Sequence, residues 1–237
     1  MRIVYERKAS VRKSQRANEV RRCLEQRGTI ALHLTGGPGS GRTSLIERTA
    51  SWCRGIGLPT AALCGSQTSQ SDADRFEAAG LPAIPVVARR DYRLTAASIL
   101  NHLGDRELFG VRLVLIEDSG DLVCPKVQDL GENARVALLS VPEGDDKPLK
   151  YPRTFERADL VVITKIDMLG LTDFDVERAA ANAKEVAPGV GILRVSCRTG
   201  EGLASWYDWL REKLPTVVHG LRTRVPSLPA EGALHSG

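Results

Sequence analysis

Short runs of apolar residues recur along the chain, separated by stretches in which apolar and charged residues mix. Seven of the runs have the length and composition of buried strands; they occupy residues 29–36, 60–65, 84–89, 112–117, 135–141, 159–165 and 191–196. Their nearly continuous apolar character is expected for a parallel sheet that is covered on both faces.

Most segments between these runs show helical spacing of their apolar residues, clearest over residues 9–27, 42–55, 72–80, 95–108, 173–186 and 202–214. Strands that alternate with helices predict βαβ units, and hence an α/β fold with one Rossmann-like domain. We expect a basic N-terminal helical extension (residues 1–27), the α/β domain (residues 28–214), and a flexible tail rich in Pro, Gly and Ser (residues 215–237).

Composition narrows the function classes only slightly. The 237 residues carry a net charge of +4, and eight basic residues crowd the first 22 positions: Arg2, Arg7, Lys8, Arg12, Lys13, Arg16, Arg21 and Arg22. A nucleic-acid-binding arm is one interpretation, but aromatic residues for base stacking are sparse there. We therefore favour a solvated helix face and expect no nucleic-acid partner.

Cysteine usage and hydropathy indicate a cytoplasmic protein. The five cysteines (Cys23, Cys53, Cys64, Cys124 and Cys197) are dispersed and form no C-x-x-C pair, which fits a reducing compartment better than a disulfide framework. No apolar run reaches membrane-spanning length, and the first residues do not resemble a signal peptide.

A glycine-rich loop follows the first strand and precedes the first helix of the domain. Its sequence GGPGSGRTS comprises Gly36, Gly37, Pro38, Gly39, Ser40, Gly41, Arg42, Thr43 and Ser44. Glycines allow backbone N–H groups to approach phosphate oxygens, and a helix N-terminus attracts them. A turn without a ligand is the alternative, but the flanking strand and helix favour a nucleotide-binding P-loop NTPase domain.

Two residues of this phosphate loop (residues 36–44) bear on catalysis. Thr43 stands where P-loop proteins place the hydroxyl that binds Mg²⁺. Arg42 replaces the usual lysine; it keeps the positive charge and can bind phosphate in a bidentate manner, but it is larger and planar. Because phosphoryl transfer depends on positioning, we expect nucleotide binding to survive and hydrolysis to be slowed.

Two later segments predict guanine specificity. The tetrapeptide TKID (residues 164–167) ends a strand, where P-loop GTPases place an [NT]-K-x-D motif; Asp167 would accept hydrogen bonds from guanine N1–H and N2–H₂, and Lys165 would lie along the base. The base loop, VSCRTGEG (residues 195–202), would present a backbone N–H of Ser196, Cys197 or Arg198 to guanine O6. Ordinary polar loops are the alternative, which the order of the three motifs disfavours.

Two longer segments resemble one family closely. IEDSGDLVCPKVQDLGE (residues 116–132) and LLSVPEGDDKPLKYPRTFERADLVVITKID (residues 138–167) are similar to the HypB family, GTPases that help to insert nickel into [NiFe]-hydrogenases. The resemblance extends over residues 14–213.

This resemblance implies a GTPase that binds GTP or GDP with Mg²⁺ and forms a nucleotide-dependent homodimer. It also implies two partners, a HypA-like nickel carrier and the large subunit of a [NiFe]-hydrogenase. Glu117 matches the acidic residue that helps to hold Mg²⁺, and Cys124 matches a cysteine of the Ni²⁺ or Zn²⁺ site at the dimer interface. The nucleotide state would then move the segment that carries Cys124.

Three positions depart from the family pattern: Arg42 replaces Lys, Ser66 replaces an Asp at the first switch, and Tyr92-Arg93 replaces a Cys-His metal pair. A phenol and a guanidinium are poor nickel or zinc ligands, so Cys124 alone would make a weak site. The four histidines (His33, His102, His219 and His235) are isolated and show no ligand spacing. Three changes in one mechanism indicate a divergent paralogue.

Three functions are therefore compared. The first is a slow GTPase in hydrogenase maturation, which Arg42, Thr43 and Glu117 favour as candidate catalytic residues. The second is a nucleotide-binding scaffold without useful turnover. The third, an ATP-dependent kinase, is disfavoured by Asp167. A basic patch at Arg89, Arg90 and Arg93 is either a partner surface or a solvated turn, and it predicts weaker dimerisation.

Overall fold

The computed structural model describes residues 2–65, 70–86, 94–117 and 128–214. Its strands are β1 (Ile30–Gly36), β2 (Thr60–Gly65), β3 (Ala83–Val86), β4 (Leu113–Glu117), β5 (Ala134–Ser140), β6 (Leu160–Thr164) and β7 (Gly191–Val195). Its α-helices are α1 (Arg2–Arg27), α2 (Arg42–Gly55), α3 (Gln70–Ala78), α4 (Ala96–His102), α5 (Lys147–Lys150), α6 (Pro152–Phe155), α7 (Val176–Val186) and α8 (Leu203–Lys213). Three 3₁₀ segments cover Arg106–Leu108, Val141–Glu143 and Ile166–Leu171.

All seven strands form one parallel sheet in the order β3-β2-β4-β1-β5-β6-β7. The predicted α/β fold is thereby confirmed. The first strand, β1, lies between β4 and β5, so the strand order changes direction beside it. Ligands of open parallel sheets bind at the carboxyl ends of the strands near such a point, which is where the phosphate loop begins.

Alternate residues of a central strand pack into the two hydrophobic cores on opposite faces of the sheet, as expected when both faces are covered by helices. On β5, Val136 and Leu138 join the core beneath α2, α3 and α8, which also contains the fully buried Trp206. On the same strand, Ala137 and Leu139 pack in the core beneath α7. The result is a three-layer arrangement of helix, sheet and helix.

The helix α1 packs on the domain through its second half. Ala17, Val20 and Leu24 are at most 1% exposed and join the core that includes α4. The domain boundary at residue 27 stays a prediction, but residues from Ala17 onward contribute to the folding core. Within the described ranges, no helix is both long enough and apolar enough to cross a membrane.

The segment DLGE (residues 129–132) of the first quoted motif anchors the chain where β5 begins. Asp129 accepts a hydrogen bond from Arg21 of α1 at 2.6 Å. Glu132 and Arg135 form a buried ion pair, and His33 Nδ1 lies 3.6 Å from Glu132. Burial opposes ionisation of Glu132, but His33 and Arg135 outweigh it and hold its pKa below the usual range. These residues fix the end of the segment that contains Cys124.

The segment EGDDKPLKYP (residues 142–151) is also a structural anchor. Arg178 donates to Asp145 from Nε at 2.8 Å and from Nη2 at 2.5 Å, and these bonds lower the pKa of Asp145. Asp145 also accepts the backbone N–H of Asp175, which caps α7. The carboxylate therefore ties the loop after β5 to the start of α7.

The helix predicted over residues 95–108 is shorter in the structure. Thr95 caps α4 by accepting the N–H of Ser98 at 3.0 Å, and α4 ends at His102. Leu103 caps the helix and Gly104 comes next, and glycine is a poor helix former because of its backbone freedom. The last part of the predicted helix is the separate 3₁₀ turn Arg106–Leu108.

Candidate functional site

The phosphate loop connects the end of β1 to the start of α2. Gly39 and Gly41 have φ values of 76° and 90°, a left-handed conformation that favours glycine. A Cβ on Gly36 would lie 2.8 Å from the carbonyl oxygen of Leu138. The glycines predicted to admit phosphate thus also allow the loop to fold tightly against β5.

The N-terminus of α2 follows this loop. The helix begins at Arg42, and its first N–H groups carry partial positive charge that favours a bound anion. Thr164 at the end of β6 donates a 2.6 Å hydrogen bond to the carbonyl oxygen of Ser40. This bond joins the phosphate loop to the strand that leads into the TKID segment.

Thr43 and Glu117, the two residues predicted to hold Mg²⁺, lie in direct contact. Thr43 Oγ1 donates to Glu117 Oε1 at 3.1 Å, and Glu117 is only 6% exposed. The other carboxylate oxygen, Oε2, is buried and makes no hydrogen bond to the described residues. A hydroxyl and a carboxylate with an unsatisfied oxygen are hard donors that fit Mg²⁺.

The charge balance at Glu117 suits a cation. Burial raises the pKa of the Glu117 carboxyl, whereas Arg42 and the Thr43 hydrogen bond act in the opposite direction. A buried carboxylate is costly unless it is paired, and a divalent ion would offset that cost. Arg42 itself is half-buried at the start of α2, close enough for its charge to act on Glu117.

The residues predicted to bind guanine lie together at the ends of β6 and β7. Lys165 has φ 59°, the one positive φ among the described non-glycine residues, and it turns the chain sharply after β6. Asp167 follows and is 14% exposed. Ser196 Oγ donates to Asp167 Oδ1 at 2.5 Å and accepts the Thr199 N–H at 3.1 Å. The buried serine thereby fixes the carboxylate relative to the base loop.

The base loop leaves the backbone N–H groups of Cys197 and Arg198 available as donors. Thr199 and Gly200 each donate their N–H to Ser196, whereas Cys197 and Arg198 donate no backbone N–H to another described residue. Burial raises the pKa of the Cys197 thiol to about 11, so this side chain is not an ionised nucleophile. Arg198 is exposed, and its Nη1 lies 3.8 Å from Asp167 Oδ2, a weak surface pair.

Sequence motifs missed the residues that support the site from outside. Arg75 of α3 binds Glu47 through two hydrogen bonds of 2.8 and 2.5 Å and donates to Ser44 at 3.1 Å. Arg48 of α2 donates to the carbonyl oxygen of Cys197 at 2.8 Å. The Arg48 contact has no sequence signal, because it joins an exposed side chain to a backbone carbonyl 149 residues further along the chain.

Several residues that the sequence singles out for the metal site, the first switch and the basic patch lie outside the described ranges. They are Cys124 and the changed positions Ser66, Tyr92 and Arg93, together with the basic patch at Arg89 and Arg90. Within the described part of the chain, no cluster of three or more His, Cys, Asp or Glu residues is arranged to hold a metal ion.

Comparison with known proteins identifies the family. The model of the CobW/HypB/UreG nucleotide-binding domain matches residues 30–194. The hydrogenase maturation factor HypB of Azotobacter vinelandii is 41% identical over 212 residues, which cover 90% of this chain and 69% of that protein. The chain belongs to the HypB family.

Solved structures agree with this assignment. The crystal structure of HypB from Archaeoglobus fulgidus matches with a TM-score of 0.79 and 36% identity, covering 86% of this chain and 99% of that one. HypB from Helicobacter pylori, solved in complex with nickel, matches with a TM-score of 0.78 and 31% identity over 86% and 95% of the two chains. Both matches span the HypB nucleotide-binding fold.

Proposed function

We propose that this HypB-family protein is a guanine-nucleotide-binding GTPase that acts in [NiFe]-hydrogenase maturation and hydrolyses GTP slowly. One observation carries the proposal. The phosphate loop, the Thr43–Glu117 pair and the Ser196–Asp167 pair all lie at the carboxyl ends of neighbouring strands. This arrangement supports one nucleotide site at the carboxyl ends of the strands, with separate groups for the phosphates, the Mg²⁺ ion and the base.

Each group then has a defined part in the reaction. The N–H groups of the phosphate loop and the charge of Arg42 bind the phosphates. Thr43 and Glu117 would hold Mg²⁺, and the ion would neutralise the charge that develops on the transferred phosphoryl group. Asp167 selects guanine by accepting from N1–H and N2–H₂, and the base loop donates to O6.

The biological setting is inferred from the family. The named relatives are hydrogenase maturation factors, and one is solved in complex with nickel. We infer that this chain works in the cytoplasm with a HypA-like nickel carrier and a hydrogenase large subunit. Nickel would be cargo, held weakly through Cys124 because Tyr92 and Arg93 replace better ligands.

Restoring the family residues is expected to raise turnover. Arg42→Lys should increase the rate of GTP hydrolysis by about tenfold, equivalent to about 1.4 kcal/mol of transition-state stabilisation, because a compact ammonium leaves more room for Mg²⁺ and the γ-phosphate. Adding Ser66→Asp should increase it further, since that change restores a carboxylate at the first switch. Single-turnover phosphate release measures both effects.

The control for this experiment adds Thr43→Ala to the doubly substituted protein. This third substitution removes a proposed Mg²⁺ ligand and should therefore abolish the increase in the rate of GTP hydrolysis. No gain from the double substitution would contradict the slow-GTPase proposal. It would favour the second candidate, a nucleotide-binding scaffold, which the combined replacement of Lys by Arg42 and Asp by Ser66 supports.

Self-association is expected to be weaker than in relatives that carry the Cys-His pair. The positive charges of Arg89, Arg90 and Arg93 would approach their own copies across a symmetric interface, and no metal-binding Cys-His pair is present to join the subunits. Light scattering of the nucleotide-free protein at micromolar concentration should show mainly monomer. A tight dimer under these conditions would contradict the prediction.

A further inference from the structure

Arg48 lies on the exposed face of α2, outside the motifs that predict the nucleotide site. Its Nε donates a 2.8 Å hydrogen bond to the carbonyl oxygen of Cys197 in the base loop. Since α2 starts at Arg42 and rises about 1.5 Å per residue, Arg48 is only about 9 Å along the axis from the first residue of the helix. One helix therefore touches both the phosphate loop and the base loop.

The contact fixes the direction of a backbone donor. No cis peptide bond occurs among the described residues, and the C=O and N–H of a trans peptide point in opposite directions. With the Cys197 carbonyl held toward Arg48, the N–H of Arg198 must point away from α2. This N–H and that of Cys197 donate to no other described residue.

A second contact stabilises the same junction. The hydroxyl of Tyr207 donates to the backbone carbonyl of Arg48 at 3.2 Å, and the ring of Tyr207 stacks on Trp52 with centroids 5.0 Å apart. Tyr207 belongs to α8, which starts at Leu203 directly after the base loop. The base loop is therefore held to α2 at two points. Arg48 binds the Cys197 carbonyl in the middle of the loop, and Tyr207 of α8 binds α2 just beyond the end of the loop.

We propose that Arg48 is a positioning residue for recognition of the purine 6-oxo group: by holding the Cys197 carbonyl, it aims the Arg198 N–H of the base loop at O6. The proposal rests on the proposed binding of guanine nucleotides. It adds a determinant of base specificity that acts through the backbone and touches no part of the nucleotide.

The test compares three diphosphates on the full chain by competition with a fluorescent guanine nucleotide. GDP has both the 2-amino and 6-oxo groups, IDP lacks the 2-amino group, and 2-aminopurine riboside diphosphate lacks the 6-oxo group. Arg48→Met keeps much of the apolar stem and removes the donor. Arg48→Lys restores a donor with different geometry.

Arg54→Met is the matched control, because Arg54 also lies on α2 and donates to a carbonyl oxygen, that of Ala79 at 3.0 Å, outside the base loop. We expect Arg48→Met to weaken the binding of GDP and of IDP about tenfold each, with little change in the binding of the 2-aminopurine nucleotide. Arg48→Lys should recover part of the loss, and Arg54→Met should bind all three as the unchanged protein does.

Three results would overturn the inference. Unchanged GDP affinity in Arg48→Met would show that the contact does not position the loop. An equal loss of affinity for all three nucleotides would show that the substitution disturbs the whole site and does not act selectively on recognition of O6. Failure of the unchanged protein to bind any guanine nucleotide would refute the proposed function itself, and this inference with it.

Discussion

Replacing Asp167 by asparagine is expected to reverse the base preference from guanine to xanthine. In the proposed site the carboxylate would accept from two guanine donors, and the 2.5 Å bond from Ser196 fixes its orientation. An asparagine amide has only one acceptor, so its NH₂ group would face the guanine 2-amino group. Xanthine carries an oxygen at that position and would accept a hydrogen bond from the amide.

The expected size of this effect follows from the cost of an unpaired polar group. Losing a charge-assisted hydrogen bond and opposing two donors costs about 3 kcal/mol, or about a 100-fold weaker affinity for GDP. Competitive binding of GDP and XDP measures the reversal. Asp173→Asn is the control, because Asp173 is an exposed carboxylate six residues further along the chain. Equal GDP affinity in Asp167→Asn would contradict the proposed role.

Substituting Gly202 by alanine is expected to destabilise the domain strongly. Gly202 has φ 76°, and a Cβ there would lie 1.8 Å from the carbonyl oxygen of Arg194. That separation is far shorter than a carbon–oxygen contact allows, so the base loop or β7 must move. The strained backbone and the steric overlap together cost about 3 kcal/mol or more, which lowers Tm by roughly 6–12 °C for a domain of this size.

Gly200 provides a matched control for the steric part of this prediction. It has a similar φ of 88°, but a Cβ there would meet no atom within 4 Å. Gly200→Ala should therefore lose only about 1 kcal/mol, which is the backbone part alone. Thermal unfolding of the two variants side by side measures the difference. Equal stability of Gly202→Ala and Gly200→Ala would contradict the described packing of the base loop.

The pattern of apolar residues predicted the fold well. In a parallel sheet that is covered on both faces, the side chains on both sides of each strand are buried, so each strand is a nearly continuous apolar run. Val136, Ala137, Leu138 and Leu139 illustrate this, since consecutive residues enter different cores and all are buried. The end of α4 was not predictable from the same signal. The apolar residues Leu103 and Leu108 are both buried, but Leu103 caps the end of α4, and the turn at Gly104 separates it from the 3₁₀ segment that contains Leu108.

The candidate site could be located from sequence only where a fixed motif implies a fixed position. The phosphate loop, Asp167 and Ser196 belong to such motifs, and the structure places them at one edge of the sheet. Arg48 could not be found this way, because its partner Cys197 is 149 residues further along the chain. Asp145 and Glu132 lie in segments that identify the family, but their described contacts are structural anchors.

We propose that the phosphate loop binds guanine nucleotide although Arg42 replaces the usual lysine. Calorimetric titration tests it most directly, with GDP and a non-hydrolysable GTP analogue in the presence of Mg²⁺ and with ATP as the control. We predict micromolar binding of both guanine nucleotides and none of ATP, because Asp167 accepts from donors that adenine does not present. Binding of neither guanine nor adenine nucleotide would contradict the claim and leave the loop without a nucleotide-binding role.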